Sequence, residues 1–511
     1  MKKKVFTTNT TLKIKPVTAV SGVLLLAALL CEGLLISALQ KLQMLPDKYF
    51  LLILAALGLM TLALALMVLK AGEKRLRRIL GWVLCLILAA GCLVGTHIFS
   101  KLNQTVTAIS QPDTVSTVFG VYVRSEDSAQ TIEDTAEHRY AMTDSVDPDQ
   151  TRKAAEQIQI LAGCADIENL ESVNALVDAL YDGSTDAIIL NQSYADMVAE
   201  VEAYGDFFTR MRLLTEIEIT EKEEPQQEPA ETAPEAETEP EIEFDPTTIP
   251  FIVYLSGSDT RSSALVKGRS DVNILAAVNP VTKQILLVNT PRDYWVRNPA
   301  GDNERDKLTH CGLYGIENSM AALEDLYGQP ITQYAQINFT GFERLINTIG
   351  GITIYSSFAF DAGDTFRVEV GNNYMNGAQA LAFARERHNV AGGDITRGAH
   401  QMKVIAAVVA KLSAATIIKN YSAILDTLQG MFVTSLTPEE ISDVIKMQLD
   451  DMATWEVLSY SVTGDGGHDT NFSMPGQISY VMYPNDEMIA HASDLMSRIL
   501  AGEVLTKEDI G

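Results

Sequence analysis

The sequence predicts an α/β protein in three parts: three N-terminal transmembrane helices, a mixed α/β accessory domain and an α–β–α layered domain. Three observations carry this expectation. Residues 1–101 hold three apolar runs, near 17–39, 49–69 and 79–99, each with about the 20 residues a helix needs to cross a bilayer. Residues 221–245 contain eleven acids, one Lys and four prolines, a composition that buries no core and reads as a self-repelling, extended linker. On both sides of that linker, strand-like apolar runs alternate with segments of helical spacing. The expected boundaries are a membrane anchor at 1–101, an accessory domain at 103–220, an acidic linker at 221–246 and a layered domain at 247–511.

Charge separates the parts further. The 511 residues carry 39 Lys plus Arg against 66 Asp plus Glu, a net charge of -27. Residues 1–101 have thirteen cations and three acids, so the remainder carries -37. A body this acidic is a poor general partner for nucleic acid, whose phosphates need basic surface. Lys2, Lys3, Lys4, Lys13 and Lys15 precede the first run, and Lys70, Lys74, Arg75, Arg77 and Arg78 fill the second loop, whereas the first loop has only Lys41 and Lys48. Positive charge stays inside, so a multi-pass cell-membrane protein is expected, N-terminus cytoplasmic and everything after about Lys101 extracellular. Three runs, rather than one short one, argue for retained anchors over a cleaved signal. Glu32 within the first run reads either as a functional group or as a helix–helix contact. Cys31, Cys85 and Cys92 lie in the runs; Cys164 and Cys311 fall in different external domains, so no metal cluster, disulfide framework or bridge is expected.

In the accessory domain, strands are expected at 117–123 and 187–190, and helices at 154–161, 173–180 and 194–204. No convergent set of catalytic residue types occurs there, and an interaction role follows. The layered domain opens with a buried strand at 250–255. Strands at 272–278 and 284–289 have a connection so short that they must pair antiparallel. Helices follow at 316–326 and 341–348, and Gly350-Gly351 leads into a strand at 352–355. Asn376 caps a helix to about 384, and Asp394 caps a longer one to about 412. A late strand at 455–462 and a final helix near 486–500 complete a layered, mostly antiparallel arrangement.

Arg and Asp concentrate at the ends of these elements. Asp259 and Asp271 flank one loop, where two carboxylates repel unless a cation lies between them; Mg²⁺ or a similar hard ion suits such oxygens. The other reading makes each a turn cap or a partner of Arg261 or Arg269. Arg397 falls in the first turn of the helix opened by Asp394, where the helix dipole disfavours a cation unless an anion shares the site. Gln401 lies four residues on, along the same face. Arg385 and Arg387 follow the preceding helix, and Arg292 follows the strand at 284–289. Guanidinium forks match phosphate oxygens, so together these arginines point to an anion site. Taken singly, each reads as a surface ion pair with Glu386, Asp293 or Asp394. His310 and His400 lack a Ser or Cys nucleophile motif, and there is no Walker loop or GxGxxG.

These stretches, in this order, resemble the LytR–CpsA–Psr family of cell-wall enzymes. The matching segments are Ser256-Gly257-Ser258-Asp259-Thr260-Arg261, Arg269-Ser270-Asp271, Thr290-Pro291-Arg292-Asp293 and Lys307-Leu308-Thr309-His310. Asn338-Phe339-Thr340-Gly341-Phe342, Gly350-Gly351-Ile352, Ala380-Leu381-Ala382-Phe383-Ala384-Arg385-Glu386-Arg387, Gly393-Asp394-Ile395-Thr396-Arg397 and Gln401 follow. The resemblance covers about residues 248–410 and continues more weakly to about 500. An accessory domain behind several spans is similar to the capsule-type members of Gram-positive bacteria. Departures are His400, where many relatives have a second Gln, and Cys311-Gly312, in place of a commoner Ala-containing run.

The resemblance implies a phosphotransferase that attaches an undecaprenyl-pyrophosphate-linked polysaccharide, capsule or teichoic-acid-like, to a peptidoglycan hydroxyl. It implies Mg²⁺ (or Mn²⁺) on Asp259 and Asp271. Arg261, Arg269, Arg292, Arg385, Arg387, Arg397 and Gln401 would surround the pyrophosphate, and Asp394 would join the same polar network. Arg292, Arg385, Arg387 and Asp394 are the expected catalytic residues. Membrane lipid and cell-wall assembly proteins are further expected partners. The apolar segments 341–348, 378–384 and 404–409 would line a groove for a prenyl tail. A non-catalytic regulator or scaffold and a lipid pyrophosphate hydrolase are the competing functions.

Overall fold

A computed structural model describes residues 16–70, 74–110, 114–145, 147–164, 166–222, 244–258, 267–364, 366–412, 416, 420, 423–424 and 426–511. The cations Lys2 to Lys15, most of the linker, and the candidate site residues Asp259 and Arg261 lie outside the described residues. The chain forms two compact units, residues 1–106 with 441–451, and residues 107–440 with 452–511.

In the first unit, α1 (Pro16–Leu42), α2 (Asp47–Leu69) and α3 (Arg75–Ser110) are three helices long and apolar enough to cross a membrane. Leu25, Ala28, Leu64, Val68, Cys85 and Cys92 pack where the helices meet. Small side chains there let helices approach closely, while Leu26, Leu30, Leu52 and Leu59 stay exposed, as a lipid-facing surface requires. Glu32 is buried and accepts a hydrogen bond from the Thr61 hydroxyl of the next helix. It is a helix–helix contact.

The accessory part of the second unit runs β1 (Thr114–Arg124), β2 (Tyr140–Met142), α4 (Pro148–Ala162), β3 (Ile167–Asn169), α5 (Val173–Asp182), β4 (Ala187–Asn191), α6 (Gln192–Glu200), α7 (Phe207–Arg210) and β5 (Met211–Lys222). The sheet order is β3-β2-β4-β1-β5. Both faces are covered: Ala154 and Ile158 of α4 meet Val121 and Ile189, and Leu176 and Val198 meet Tyr122 and Leu190 on the other side. This second core continues into the layered domain through Leu313 and Met474. The helix expected at 194–204 is broken. α6 stops at Glu200 because Val201 is extended, with φ -80 and ψ 131, and a 3₁₀ turn follows. Strand β5 was not anticipated, although buried Ile217 and Ile219 alternate with exposed Glu216 and Glu218, the period of a half-buried strand.

The layered domain begins with β6 (Phe251–Ser258), β7 (Val272–Asn279), β8 (Gln284–Asn289), the short β9 (Trp295–Arg297) and β10 (Arg305–Lys307), then α8 (Leu308–Cys311), α9 (Ile316–Tyr327), β11 (Gln333–Asn338) and α10 (Phe339–Thr348). After β12 (Ile352–Ser356), β13 (Phe360–Ala362), β14 (Phe366–Val368) and β15 (Gly371–Met375) come α11 (Gly377–Arg385) and α12 (Asp394–Lys411). β16 (Phe432–Thr434), β17 (Glu456–Ser461) and the hairpin β18 (Gly464–Asn471) with β19 (Met474–Pro484) precede the last long helix, Asp486–Leu500.

The central sheet has the order β16-β11-β6-β7-β8-β17. β7 pairs antiparallel with both β6 and β8, as its short loop required, but β6–β11 and β8–β17 are parallel. β11–β16 is antiparallel too, so the sheet is mixed, with three of its five pairings antiparallel. On one face Tyr254, Leu275, Ala277 and Leu286 pack on Leu323 of α9 and Leu495 of the last helix. On the other, Ile274, Ala276 and Leu287 pack on Met402 of α12. Burial on both faces explains the near-continuous apolar runs of these strands.

Candidate functional site

Strands β6, β8 and β11 run in the same sense, so their C-terminal ends open on one side of the sheet, where open α/β sheets place ligands. A cavity of about 680 Å³ lies there. Gly398 lets α12 come close, since a Cβ at that position would collide with the Asn289 side chain at the end of β8. Gly393, at φ 53, is the N-cap of α12, and Asp394 is the first helical residue rather than the cap expected. Asn376 does cap α11, through a reciprocal pair with Gln379, and so fixes the helix that ends at Arg385.

Every described site residue except Asp394 lines this cavity: Arg269, Asp271, Arg292, Arg385, Arg387, Arg397 and Gln401. Arg292 Nη1 donates to Asp271 Oδ1 at 2.9 Å, and its Nε lies 3.8 Å from Asp293. Burial alone would raise the Asp271 carboxyl, but Arg292, Arg269 and Arg397 hold it below its usual value. Asp394 stands beside the cavity and pairs with Arg397 at 2.5 Å. Burial dominates that pair, raising the Asp394 carboxyl and lowering the Arg397 guanidinium.

Arg385 and Arg387 differ. Among the described residues neither has a carboxylate partner within ion-pair distance. Arg385 lies over the Phe339 ring at 4.6 Å, and Arg387 Nε meets the His388 ring at 3.3 Å. Glu386, their expected partner, is buried and turned to backbone amides, accepting from Gly363, His388 and Asn389, each at 2.8 Å. The ion-pair reading therefore fails for these two arginines, whereas Arg292 and Arg397 do pair with Asp293 and Asp394, in largely buried rather than surface pairs.

The cavity also has apolar walls, Phe342, Leu345, Leu381, Val404 and Val408 among them. All three apolar segments expected to form a groove contribute to it. One space thus joins guanidinium groups to a hydrocarbon-like lining.

Two accessory-domain carboxylates also enter the site, where none was expected. Glu200 Oε1 accepts from Arg269 Nη1 at 2.9 Å, and Oε2 from Lys307 Nζ at 2.8 Å; Asp196 accepts from Arg269 Nη2 at 3.0 Å. The only trace in the sequence is that Asp196 and Glu200 are four apart on one helix; nothing in it names their partners. Two other residues prove structural. His400 stacks on Phe383 at 4.2 Å and is held neutral, pushed down to about 4 chiefly by burial. His310 Nδ1 lies 2.7 Å from the fully buried Asp306. Cys164 and Cys311 are both free and buried.

For a divalent ion, Asp271 offers a hard oxygen at the cavity wall, and Asp259 lies outside the described residues. No group of three or more His, Cys, Asp or Glu converges as a metal cluster among the described residues. Asp271 is thus the one carboxylate of the expected metal pair that the described residues place at the cavity, and it already accepts from Arg292 at 2.9 Å.

A family model described as LytR_cpsA_psr family matches residues 216–489. The chain belongs to the LytR_cpsA_psr family. It is 32% identical over 252 residues to a protein of Enterococcus faecalis named polyisoprenyl-teichoic acid–peptidoglycan teichoic acid transferase TagU, covering 49% of this chain and 80% of that one. A protein of the same name from Bacillus licheniformis is 30% identical over 218 residues, covering 42% and 69%. Among solved structures, the B. subtilis TagV crystal structure is similar with a TM-score of 0.42 and 24% identity, over 50% of this chain and 98% of that one. YwtF (TagT) with bound octaprenyl pyrophosphate lipid gives a TM-score of 0.38 and 22% identity, over 51% and 93%.

Proposed function

We propose that this family member is a glycopolymer–peptidoglycan phosphotransferase. It takes a polymer from an undecaprenyl-pyrophosphate carrier and joins it, through its phosphosugar end, to a peptidoglycan hydroxyl. The observation that carries this is one cavity lined both by apolar side chains and by two guanidinium groups that have no carboxylate partner among the described residues. A prenyl pyrophosphate needs both, and the transferase names of the relatives agree with it. The acceptor oxygen attacks the sugar-linked phosphorus, the bond to the bridging oxygen breaks, prenyl phosphate leaves, and the hydroxyl proton passes to a base. Catalysis of such a step is chiefly positioning and charge neutralisation. Arg292, Arg385 and Arg387 would hold the pyrophosphate, with Arg261, Arg269, Arg397 and Gln401 around it, and Asp394 would orient Arg397. The polymer is teichoic-acid-like or a capsule polysaccharide.

Incubating purified full-length protein with a lipid-linked donor and peptidoglycan tests the reading. Polymer bound covalently to peptidoglycan is the expected product. Polymer released free would make the protein a hydrolase, and unreacted donor would make it a scaffold.

A divalent ion, Mg²⁺ or Mn²⁺, would be held by Asp271 with Asp259 and would supply further neutralisation of the phosphates. Asp271→Asn is expected to weaken the Mg²⁺-dependent part of farnesyl pyrophosphate binding. Undiminished metal dependence in the Asp259→Asn/Asp271→Asn double variant would place the ion elsewhere.

The loop cations orient the anchor with residues after about 101 outside the cell. Ile160 is 80% exposed in the accessory domain, whereas the native external cysteines are buried. A membrane-impermeant maleimide should therefore label Ile160→Cys in intact cells. Labelling only after lysis would reverse the orientation.

A further inference from the structure

We propose that Glu200, contributed by the accessory domain, is a positioning residue of the anion site, its carboxylate anchored by the buried Lys307 and holding Arg269 and Arg292 where they line the cavity. The inference rests on the function proposed above and adds to it a part for the second domain. Arg269 and Lys307 are almost wholly buried, at 6% and 2% exposure, and buried cations must be paired. Glu200 serves three cations at once: Arg269 at 2.9 Å and Arg292 at 3.5 Å on Oε1, and Lys307 at 2.8 Å on Oε2. Asp196, one turn earlier on α6, takes the other arm of Arg269 at 3.0 Å. The fork of Arg269 is thereby split between two carboxylates and cannot rotate without losing one.

Two features separate this from a simple tie between domains. Asp196 and Glu200 line the cavity itself, as Arg385 and Arg387 do, and the shared core through Leu313 and Met474 already joins the domains. Burial would raise the Glu200 carboxyl, but Lys307, Arg269 and Arg292 bring it down to about 2, so it stays charged at any physiological pH. Neutralising Glu200 has two opposite consequences. The cavity becomes more positive and binds an anion more strongly, while Arg269 and Arg292 lose a group that aims them.

The test uses the full-length protein and measures farnesyl pyrophosphate affinity, kcat for polymer transfer and thermal melting. Glu200→Gln should bind farnesyl pyrophosphate about tenfold tighter, one charge being removed near the site, yet transfer polymer with kcat roughly tenfold lower through lost orientation. Glu200→Asp keeps the charge but cannot span three cations, so its affinity should hold within about twofold while kcat falls. A folded Glu200→Gln protein with unchanged affinity and kcat would overturn the proposal. If that variant does not fold, wild-type kcat in folded Glu200→Asp overturns it equally. Should Arg385→Ala abolish transfer while both Glu200 variants behave as wild type, the proposed function stands and only this inference falls. Absence of transfer by the wild type removes the function, and the affinity measurement still judges Glu200.

Discussion

Arg385→Ala and Arg387→Ala should each lower polymer transfer by roughly 10²–10³-fold, as loss of one preorganised electrostatic stabiliser does in other enzymes. Their thermal melting should barely change. Both side chains are exposed at the cavity and have no carboxylate partner among the described residues, so neither removal strands a buried charge. Lys at either position keeps the charge but not the two-pronged fork that matches phosphate oxygens, and an intermediate loss follows. Arg292→Ala should behave differently. It leaves the partly buried Asp271 without its 2.9 Å donor, so stability falls along with transfer. Near-normal transfer by Arg385→Ala and Arg387→Ala proteins that melt normally would defeat the clamp and favour the scaffold.

The largest effect on stability is expected at Asp306. This fully buried carboxylate faces His310 Nδ1 at 2.7 Å and accepts from Asn298 Nδ2 at 3.2 Å, the Lys307 amide at 2.9 Å and both the amide and hydroxyl of Ser473. It ties β10 to the β18–β19 hairpin, and Asp306→Ala should cost about 3–5 kcal/mol by stranding these donors. Burial alone would raise its carboxyl, but His310, Ser473 and Asn298 hold it below the usual value. A depressed folded pKa contributes stability above the unfolded value, near pH 4, which is lost as pH falls through the folded value. Wild-type melting should thus decline below about pH 4 more steeply than that of Asp306→Asn. Parallel acid profiles for the two proteins, or a normal melt for Asp306→Ala, would show that the network carries little stability.

Asp306 and Glu200 also mark where reading the chain stops. Lys307-Leu308-Thr309-His310 is recognisable as a motif, yet its roles are divided: His310 supports Asp306, while Lys307 reaches 107 residues back to Glu200. In the accessory domain the helices at 154–161 and 173–180 are legible from spacing, whereas β5 is not, and neither is the β18–β19 hairpin of the layered domain. The hairpin strand Gly464–Asn471 is glycine-rich and polar, and β5 hides its period beside the acidic linker.

Local physics settles the parts of this protein that involve neighbours in sequence. Hydropathy over about 20 residues defines the spans. A connection of a few residues forces β7 to pair with β8, and Asn376 with Gln379 starts α11 because a cap acts within one turn. The ordered Arg and Asp segments name the family on the same local footing. Tertiary structure alone decides which charges are free. Glu386 sits between Arg385 and Arg387 in sequence, yet it turns to three backbone amides and leaves both without a carboxylate partner among the described residues, and Glu200 crosses from another domain to hold Arg269 and Lys307. Ion pairing falls off over a few ångströms and depends on burial, so it follows from how the helices close over both faces of the sheet, which no stretch of sequence records.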